Sequence, residues 1–305
     1  MSEPARLCIL GSLNMDYVVA APALPRRGET LLGGPFATFP GGKGANQAVA
    51  AARLGAAVCM IGCVGADAQG AFLRNSLLQE GVDVAPVLER ETTTGIALIT
   101  VEPGGDNTIV VAPGANATLT TADVDASAGA VRGAQMLVAQ LETPLMAVAR
   151  AAHIARSADV PVLLNAAPAM DVPGPVLRLV DILVVNRGEA RALLGAHAPA
   201  DLPSLAMALL AQGPRRVVIT LGDQGAVYSA GASFQTQPAF PVEAVDATAA
   251  GDAFTAALAV GLCEHGDAAL ALRFAAAAGA LACTRRGAQP SLPARAQVEA
   301  LLAQR

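Results

Sequence analysis

An aspartate in a run of small residues is the strongest candidate for catalysis in this sequence of 305 residues. Asp252 ends the run Ala249-Ala250-Gly251-Asp252, and a long apolar segment typical of a helix follows it. Small residues at a helix start leave backbone N–H groups bare and directed at one spot, so the run predicts a site for an anion such as phosphate. The alternative is that Asp252 is only an acidic charge that complements the helix dipole.

A carboxylate beside an anion site has a specific use in phosphoryl transfer. The base accepts the proton of the attacking hydroxyl while N–H groups neutralise the oxygens of the moving phosphoryl group. The pairing of Asp252 with the helix start therefore favours a phosphotransferase in which Asp252 is the base.

A glycine-rich run also precedes a helical pattern in the first half of the chain. In Pro40-Gly-Gly-Lys-Gly-Ala-Asn46, Gly42 and Gly44 let the backbone approach a ligand closely, and Lys43 and Asn46 supply polar contacts. The run is neither a Walker A loop, because Gly44 stands where Ser or Thr must follow the lysine, nor a GxGxxG motif. The alternative is a glycine-rich helix start without a ligand.

Asn14 and Asp16 stand two residues apart in a strand-like segment, so their side chains lie on one face. An amide and a carboxylate together suit the vicinal hydroxyls of a sugar. The alternative is that both are polar residues on the solvent side of a strand.

Two polar runs follow predicted strands. In Asn186-Arg-Gly-Glu189, Glu189 is placed to hold Mg²⁺ through water, or the run is an ordinary helix N-cap with an acid at the third position. In Thr220-Leu-Gly-Asp-Gln-Gly225, the glycines let a nucleotide lie flat against the backbone, or the run is a hairpin turn into 226–229.

A polar loop, Thr284-Arg-Arg-Gly-Ala-Gln-Pro-Ser291, follows an apolar helical segment near the end of the chain. Its backbone carbonyls and the Asp246 carboxylate could together enclose a monovalent cation beside the anion site.

The elements that must position these residues alternate between apolar strand-like runs and helical patterns. The alternation predicts an α/β fold, a doubly wound, mostly parallel sheet flanked by helices in one domain over 1–305, with ligands at the carboxyl ends of the strands. Hairpin-rich segments near 14–39 and 94–112, the second with the turn signal Pro103-Gly-Gly-Asp106, predict a small β-sheet lid.

Composition excludes several classes of function. The net charge of −5 and the scattered Lys and Arg argue against nucleic acid as a partner. Apolar runs fall far short of the roughly 20 residues that span a bilayer, and no targeting segment precedes the first strand, so we expect a cytoplasmic protein without a membrane partner. The sequence contains no histidines at metal-ligand spacing and no GxSxG motif.

Together and in this order, these runs resemble the ribokinase or PfkB-type carbohydrate kinase family over nearly the whole chain. GGKGAN and DATAAGD are similar to the two family signatures. Asn14 with Asp16, Pro113-Gly-Ala-Asn116, Gln140-Leu-Glu142 and TRRGAQPS are similar to the branch of the family that phosphorylates ribose.

The resemblance implies ATP-dependent phosphorylation of D-ribose at its 5-hydroxyl, with Mg²⁺ and an activating K⁺. Catalysis would belong to Asp252 and the anion hole of Ala249, Ala250 and Gly251. The implied sugar contacts are Asn14, Asp16, Gly42, Lys43, Gly44, Asn46, Glu142 and Asp252. The implied nucleotide contacts are Asn186, Thr220, Leu221, Gly222, Asp223, Gln224, Gly225 and Gly251. The implied K⁺ ligands are the Asp246 side chain and the backbone of Thr248, Ala282, Arg285, Gly287 and Ser291.

Some alternatives stay open within this resemblance. Met15 separates Asn14 from Asp16, and a bend there would reshape the sugar site toward a deoxypentose; fructose and a nucleoside are other possible acceptors. A non-catalytic sugar- or nucleotide-binding module on the same fold is the remaining alternative. The family also implies a homodimer formed through the lid, because pairing two lids covers their exposed edges.

Overall fold

The strands form from the apolar, β-branched runs of the sequence. The computed structural model describes residues 3–103, 107–231 and 233–304. In chain order the strands are β1 (Arg6–Leu10), β2 (Asn14–Ala20), β3 (Phe36–Gly41), β4 (Ala57–Gly65), β5 (Val87–Arg90), β6 (Gly95–Val101), β7 (Asn107–Ala112), β8 (Met136–Ala139), β9 (Val162–Asn165), β10 (Ile182–Asn186), β11 (Arg216–Thr220), β12 (Ala226–Ala230) and β13 (Ser233–Gln237).

Nine strands form the central sheet, in the order β13-β12-β11-β10-β9-β8-β1-β4-β5. The strands from β11 through β5 pair in parallel, whereas β12 and β13 are antiparallel additions at one edge. The predicted doubly wound, mostly parallel sheet is therefore confirmed. The carboxyl ends of the parallel strands share one edge, which is where such a sheet binds its ligands.

The helices cover both faces of this sheet. They are α1 (Lys43–Arg53), α2 (Ala68–Gln79), α3 (Thr121–Ala126), α4 (Ala128–Gly133), α5 (Leu145–Ser157), α6 (Gly174–Leu177), α7 (Arg187–Leu194), α8 (Leu202–Leu210), α9 (Ala250–His265), α10 (Ala268–Ala282) and α11 (Arg295–Ala303). Alternate residues of β1 enter two separate cores, Leu7 and Ile9 on one face and Cys8 and Leu10 on the other. This alternation is why the strand is apolar throughout.

Hydrogen-bonding and glycine signals set the ends of several helices. The side chain of Asp67 accepts a hydrogen bond from the Gly70 N–H and begins α2, and Gly266 ends α9 in the left-handed conformation at φ 64°. In the described part of the chain no single helix is long and apolar enough to cross a membrane. Arg187–His197 and Leu202–Leu210 meet that test only as a pair bent by 73°.

A second sheet of four strands, in the order β3-β2-β6-β7, forms the predicted lid. β2 follows the carboxyl end of β1, and α1 begins immediately after β3, so the lid rises from the ligand-binding edge of the central sheet. β6 and β7 pair antiparallel, as the hairpin signal between them predicts. The turn residues 104–106 lie outside the described residues.

Candidate active site

The carboxyl ends of β9, β10 and β11 border a cavity of about 200 Å³. Its lining includes Lys43, Asn186, Glu189, Thr220, Gly251 and Asp252. These residues come from four of the runs that the sequence marks for chemistry. The fold therefore brings the two halves of the chain to one site.

The helix α9 begins at this cavity, and no side chain in the described part of the protein caps it. Its N-cap residue, Ala249, is in the left-handed conformation at φ 60°, which a residue with a Cβ adopts at a cost. The Ala250 N–H donates to the Ala247 carbonyl, whereas the Gly251 and Asp252 N–H groups donate to no other described residue. The helix start thus offers free donors to an anion, as the run of small residues predicts.

Asp252 occupies the first turn of α9 and is buried at 6% exposure. The Asn46 amide donates to its Oδ2 at 3.0 Å, and the Gln47 amide donates to its Oδ1 at 2.9 Å. Burial raises the pKa of Asp252, and the opposing effects of Lys43 and the two amides do not fully cancel it. Asp252 is therefore a buried carboxyl with raised basicity, and more than a surface charge on a helix dipole.

Lys43 lies among four carboxyl groups at the start of α1. Burial acts to lower the pKa of its ammonium, but the negative charges of Asp252, Glu142, Glu189 and Asp16 outweigh it and raise the pKa above the ordinary value. Lys43 therefore stays protonated near neutral pH and supplies positive charge to the cavity that it lines.

Asn14 and Asp16 lie on one face of β2 and are 2% and 7% exposed, so the solvent-facing alternative is wrong. Asn116 fixes this segment. Its Oδ1 accepts from the Leu13 N–H at 2.9 Å, and its Nδ2 donates to the Leu13 carbonyl at 3.0 Å and to Asn14 Oδ1 at 2.8 Å. Because the two backbone groups orient Asn116, Asn14 must present its NH₂ group to the remaining space.

The carboxylate of Asp16 lies directly against Gly41 on the neighbouring strand, where a Cβ would overlap it. Burial, followed by the charges of Glu142 and Asp252, raises the pKa of Asp16 to about 7. The pairing of β2 with β6 continues in register through Met15, so the strand has no bulge there. The regular strand keeps Met15 on the opposite face from Asn14 and Asp16.

The start of α1 is closed by protein groups. Glu142 Oε2 accepts from the Ser12 hydroxyl at 2.5 Å and from the Lys43 N–H at 3.1 Å. Gly44 faces Gly11 and Ser12, because a Cβ on Gly44 would lie 2.6 Å from atoms of both. This close approach of α1 to the end of β1 accounts for the glycine.

Asn186 and Glu189 form a capping box at the start of α7. Asn186 Oδ1 accepts from the Glu189 N–H, and Glu189 Oε2 accepts from the Asn186 N–H, both at 2.8 Å. The predicted N-cap is confirmed. Both residues also line the cavity, so their side chains can contact a ligand in addition to capping the helix. Burial raises the pKa of Glu189.

The run 220–225 joins β11 to β12 as an antiparallel hairpin, so the turn is present, and the nucleotide contacts of the run stay a prediction. Thr220 lines the cavity at the end of β11. Gly222 and Gly225 have φ 62° and 93°, and a Cβ on Gly225 would overlap the Gln237 carbonyl. The run thus extends from the cavity edge onto the hairpin.

Asp246 connects the segment that precedes α9 to the polar loop 284–291, called the C-terminal loop below. Its Oδ1 accepts from the Thr248 N–H and hydroxyl at 2.9 and 2.6 Å, and its Oδ2 accepts from the Gly287 N–H at 2.9 Å. Partial burial acts to raise the pKa of Asp246, but these hydrogen bonds lower it overall. The carboxylate is therefore ionised and holds the two segments together.

Several carbonyl groups in the two segments that Asp246 connects have spare acceptor capacity. Those of Thr248, Arg285, Gly287 and Ser291 accept no hydrogen bond from any residue that the structure describes. Ala282, the last residue of α10, lies at the start of the same loop.

Sequence reasoning did not name Gln47 or Asn165, and it gave Gln140 and Asn116 no role beyond the family resemblance. Gln47, Gln140 and Asn165 form a buried amide chain that ends on Asp252, and Asn116 holds Asn14. Gln47 directly follows the Asn46 of the glycine-rich run, and Gln140 and Asn165 stand at strand ends, which are the signals that could have found them.

The family model for the pfkB family carbohydrate kinases matches residues 4–295. The ribokinase of Bacillus subtilis (strain 168) is 42% identical over 299 residues, which cover 97% of this chain and 99% of the relative. The deoxyribokinase of Salmonella typhi is 33% identical over 293 residues, with 94% and 95% covered.

Among solved structures, the Arabidopsis thaliana ribokinase complexed with ribose and ATP is similar to this fold. The two superpose with a TM-score of 0.89 at 32% sequence identity, and 98% of this chain and 99% of the other are covered. Both the lid and the central sheet fall within that overlap.

Proposed function

This chain belongs to the pfkB family of carbohydrate kinases, and from this premise we propose that it transfers the γ-phosphoryl group of ATP to the 5-hydroxyl of D-ribose. The observation that carries the proposal is the pairing of the buried Asp252 carboxylate with the open start of α9 in one helical turn. In-line transfer to a hydroxyl requires a base for the hydroxyl proton and donors for the phosphoryl oxygens, and one helical turn supplies both.

In the proposed reaction, Asp252 accepts the proton of the 5-hydroxyl as its oxygen forms a bond to the γ-phosphorus. The bond from that phosphorus to the bridging oxygen of ADP breaks. The N–H groups of Ala249, Gly251 and Asp252, which donate to no described residue, face the transferring oxygens, and Lys43 adds positive charge. The Ala250 N–H, which the sequence also assigned to the anion hole, donates to the Ala247 carbonyl instead. The lid excludes water, which would otherwise compete as the acceptor.

The proposed sugar site lies between the lid and α1. Asn14, oriented by Asn116, presents an NH₂ donor, and Asp16 presents a carboxyl group. Asn46 and Glu142 complete the set, and both are already oriented by contacts with Asp252 and the α1 backbone. The glycines at 42 and 44 contribute by bringing the backbone of α1 close to the end of β1.

The proposed nucleotide site lies on the other side of Asp252. Asn186, Thr220 and Gly251 line the cavity, and the hairpin that begins at Thr220 continues outward. The resemblance assigns the whole run to the nucleotide: Leu221, Gly222, Asp223, Gln224 and Gly225. The sheet edge at β10 and β11 is the expected location for a nucleotide in a doubly wound fold.

The residues present fit a magnesium ion that keeps its waters. Within the described residues, no group of three or more His, Cys, Asp or Glu could hold a metal directly. Mg²⁺ bound to substrate phosphates needs only one or two carboxylates, often through water. We assign that contact to Glu189, whose Oε1 is not used by the capping box. When bound, the ion neutralises charge on the phosphates.

The residues of the C-terminal loop fit a monovalent cation. Four carbonyl groups that accept from no described residue, together with the ionised Asp246, offer the oxygen ligands that such an ion requires. We place K⁺ there, with Ala282 as a further backbone ligand. The cation would stabilise the segment that leads into the anion hole, since Asp246 also holds Thr248.

We further propose that two chains pair through their lids. Large apolar side chains are exposed on the lid, including Leu98, Ile109 and Val110 at 52%, 53% and 66%. β3 and β7 are its edge strands. An exposed apolar sheet with open edges is a surface that favours a second copy. We place the reaction in the cytoplasm, in keeping with the five unpaired cysteines.

The decisive experiment measures ATP consumption with a panel of acceptors. We expect the highest kcat/KM for D-ribose, above 2-deoxyribose, D-fructose and adenosine. A preference for 2-deoxyribose would show that the proposed substrate is wrong and would leave the proposed mechanism unchanged. Absence of ATP consumption with every acceptor would overturn the kinase and favour a binding module.

A further inference from the structure

The Asp252 carboxylate is the end of a buried chain of side-chain amides. Gln47 Nε2 donates to Asp252 Oδ1 at 2.9 Å and to Asn165 Oδ1 at 3.2 Å. Gln47 Oε1 accepts from Gln140 Nε2 at 2.6 Å. Gln47 and Gln140 have no exposed surface, so neither amide can exchange these partners for bulk water.

The far end of this chain fixes the direction of its donors. Asn165 Nδ2 donates to the Val184 carbonyl at 3.2 Å, and a carbonyl can only accept. Asn165 Oδ1 must therefore face Gln47, and Gln47 must present its NH₂ group to both Asn165 and Asp252. Gln140 Nε2 donates to Gln47 Oε1, so the oxygen end of the Gln47 amide also has a fixed partner. The ends of β8 and β9 thus decide which end of Gln47 faces Asp252.

The chain has a direct consequence for the carboxylate. Asn46 donates to Oδ2 and Gln47 to Oδ1, so each oxygen receives one amide proton and the plane of the carboxylate is fixed. Donors to both oxygens favour the ionised carboxylate, which burial disfavours. Each oxygen keeps a second lone pair, and one of these can accept a hydroxyl proton.

We infer that Gln47 is a positioning residue for phosphoryl transfer, which holds Asp252 in the orientation and ionised form that accept the sugar proton, and that Gln140 and Asn165 orient Gln47. The inference rests on the proposed role of Asp252 as the base. It adds a residue of the glycine-rich helix that contacts the base, in addition to those expected to contact the sugar.

The test compares pH profiles of kcat/KM for D-ribose between about pH 5 and about pH 9, where a base must lose its proton to act. Gln47→Leu removes the donor to Asp252. The double variant Gln47→Leu/Gln140→Leu also removes Gln140, one of the two amides that the single change would leave without a partner, so it limits the damage to the fold. Gln135→Leu, at the opposite end of β8, is the matched control.

We expect kcat in both Gln47 variants to fall about tenfold near neutral pH, from the loss of one hydrogen bond to a charged group. The acidic limb of the profile should move to higher pH, because the ionised base has lost a donor. The KM for ATP and the profile of Gln135→Leu should not change.

General damage to the fold would lower activity equally at every pH and would leave the limb in place. The inference is overturned if the double variant, folded by its melting curve, retains the wild-type acidic limb. Failure of the proposed function is a separate result, because the wild-type protein would then show no activity with ribose.

Discussion

Two helices begin at the same cavity, and their first turns differ. At α1, the Lys43 N–H donates to Glu142 and the Gly44 N–H approaches the Ser12 hydroxyl at 3.4 Å, so protein groups occupy the helix start. At α9, no described side chain caps the helix, and the Gly251 and Asp252 N–H groups donate to none of the described residues.

The difference shows how one structural feature serves two purposes. A helix start with internal acceptors is a rigid platform, and α1 uses it to present Lys43, Asn46 and Gln47 from fixed backbone positions. A helix start without acceptors leaves its positive end available to a ligand. Internal hydrogen bonds therefore stabilise the start of α1, whereas the start of α9 is available to bind an anion.

The largest expected effect tests whether Asp252 is a base or only a charge at the open helix start. Asp252→Asn keeps the shape and one acceptor oxygen for the Gln47 amide, but its NH₂ group replaces the oxygen that accepts from Asn46, and it cannot act as the base. We expect kcat to fall about a thousandfold, since general bases contribute roughly 10²–10⁴. Steady-state kinetics measure the loss, and calorimetric titration should show D-ribose binding largely retained.

The outcome that would contradict this role is specific. If Asp252 only complemented the helix dipole, the same variant would keep near-normal turnover and would lose only about 0.3–1 kcal/mol of stability. Thermal unfolding of the variant separates these two results.

The next effect tests the free N–H groups of α9 directly. Gly251→Pro removes one N–H at the second helical position, where no intrahelical hydrogen bond is lost. Gly251→Ala is the matched control, because a Cβ there meets nothing within 4 Å and the N–H remains. We expect kcat of the proline variant about a hundredfold below that of the alanine variant, as for a lost oxyanion donor. Equal kcat values would show that this N–H does not hold the transferring group.

A smaller effect tests the loop behind the open helix start. Asp246→Asn removes the charge that holds Thr248 and Gly287 and that we assign to K⁺. We expect about a tenfold lower kcat in potassium buffer, from weakened hydrogen bonds to a charged group. Activity in potassium and sodium buffers should become equal in this variant. If wild type already shows no difference between the two cations, the K⁺ assignment is wrong.

Sequence reasoning predicted the fold well because the fold follows from patterns that act locally. The buried strands are continuous apolar runs, and glycine and proline mark their ends, so the order of strands and helices was accessible. The open start of α9 was accessible too, since small residues such as Ala249 and Gly251 cannot cap it. The strand β5 was not predicted, because four residues ending in Glu89 and Arg90 carry little apolar signal.

The support behind the site depends on contacts that no local pattern specifies. Gln47 reaches Asp252 across 205 positions of the chain, and Asn116 reaches Leu13 across 103. An isolated Gln or Asn is usually a surface residue, so its burial becomes visible only in the packed structure. The capping box at Asn186 is the opposite case. Its local motif can be read from the sequence, but the motif does not reveal that Asn186 also borders the cavity.

The smallest effect is expected on stability, at the acid beside the closed helix start. Burial and neighbouring carboxylates raise the pKa of Asp16 from 3.8 to about 7, so the folded state binds its proton more tightly than the unfolded chain does. Its contribution to stability is complete below the unfolded pKa and is lost as the pH rises through the folded pKa. Asp16→Asn removes this penalty, because an amide does not ionise.

We therefore expect Asp16→Asn to melt a few degrees above wild type at pH 8. The advantage should shrink as the pH falls from about 7 toward 4, where wild-type Asp16 keeps its proton when folded. Differential scanning calorimetry at both limits measures it, and Asp171→Asn, at an exposed site, is the control. An advantage independent of pH would show that Asp16 is not strained by ionisation. A lower kcat/KM for ribose in the stabilised variant would show that Asp16 serves sugar binding or turnover and lowers the stability of the folded protein in doing so.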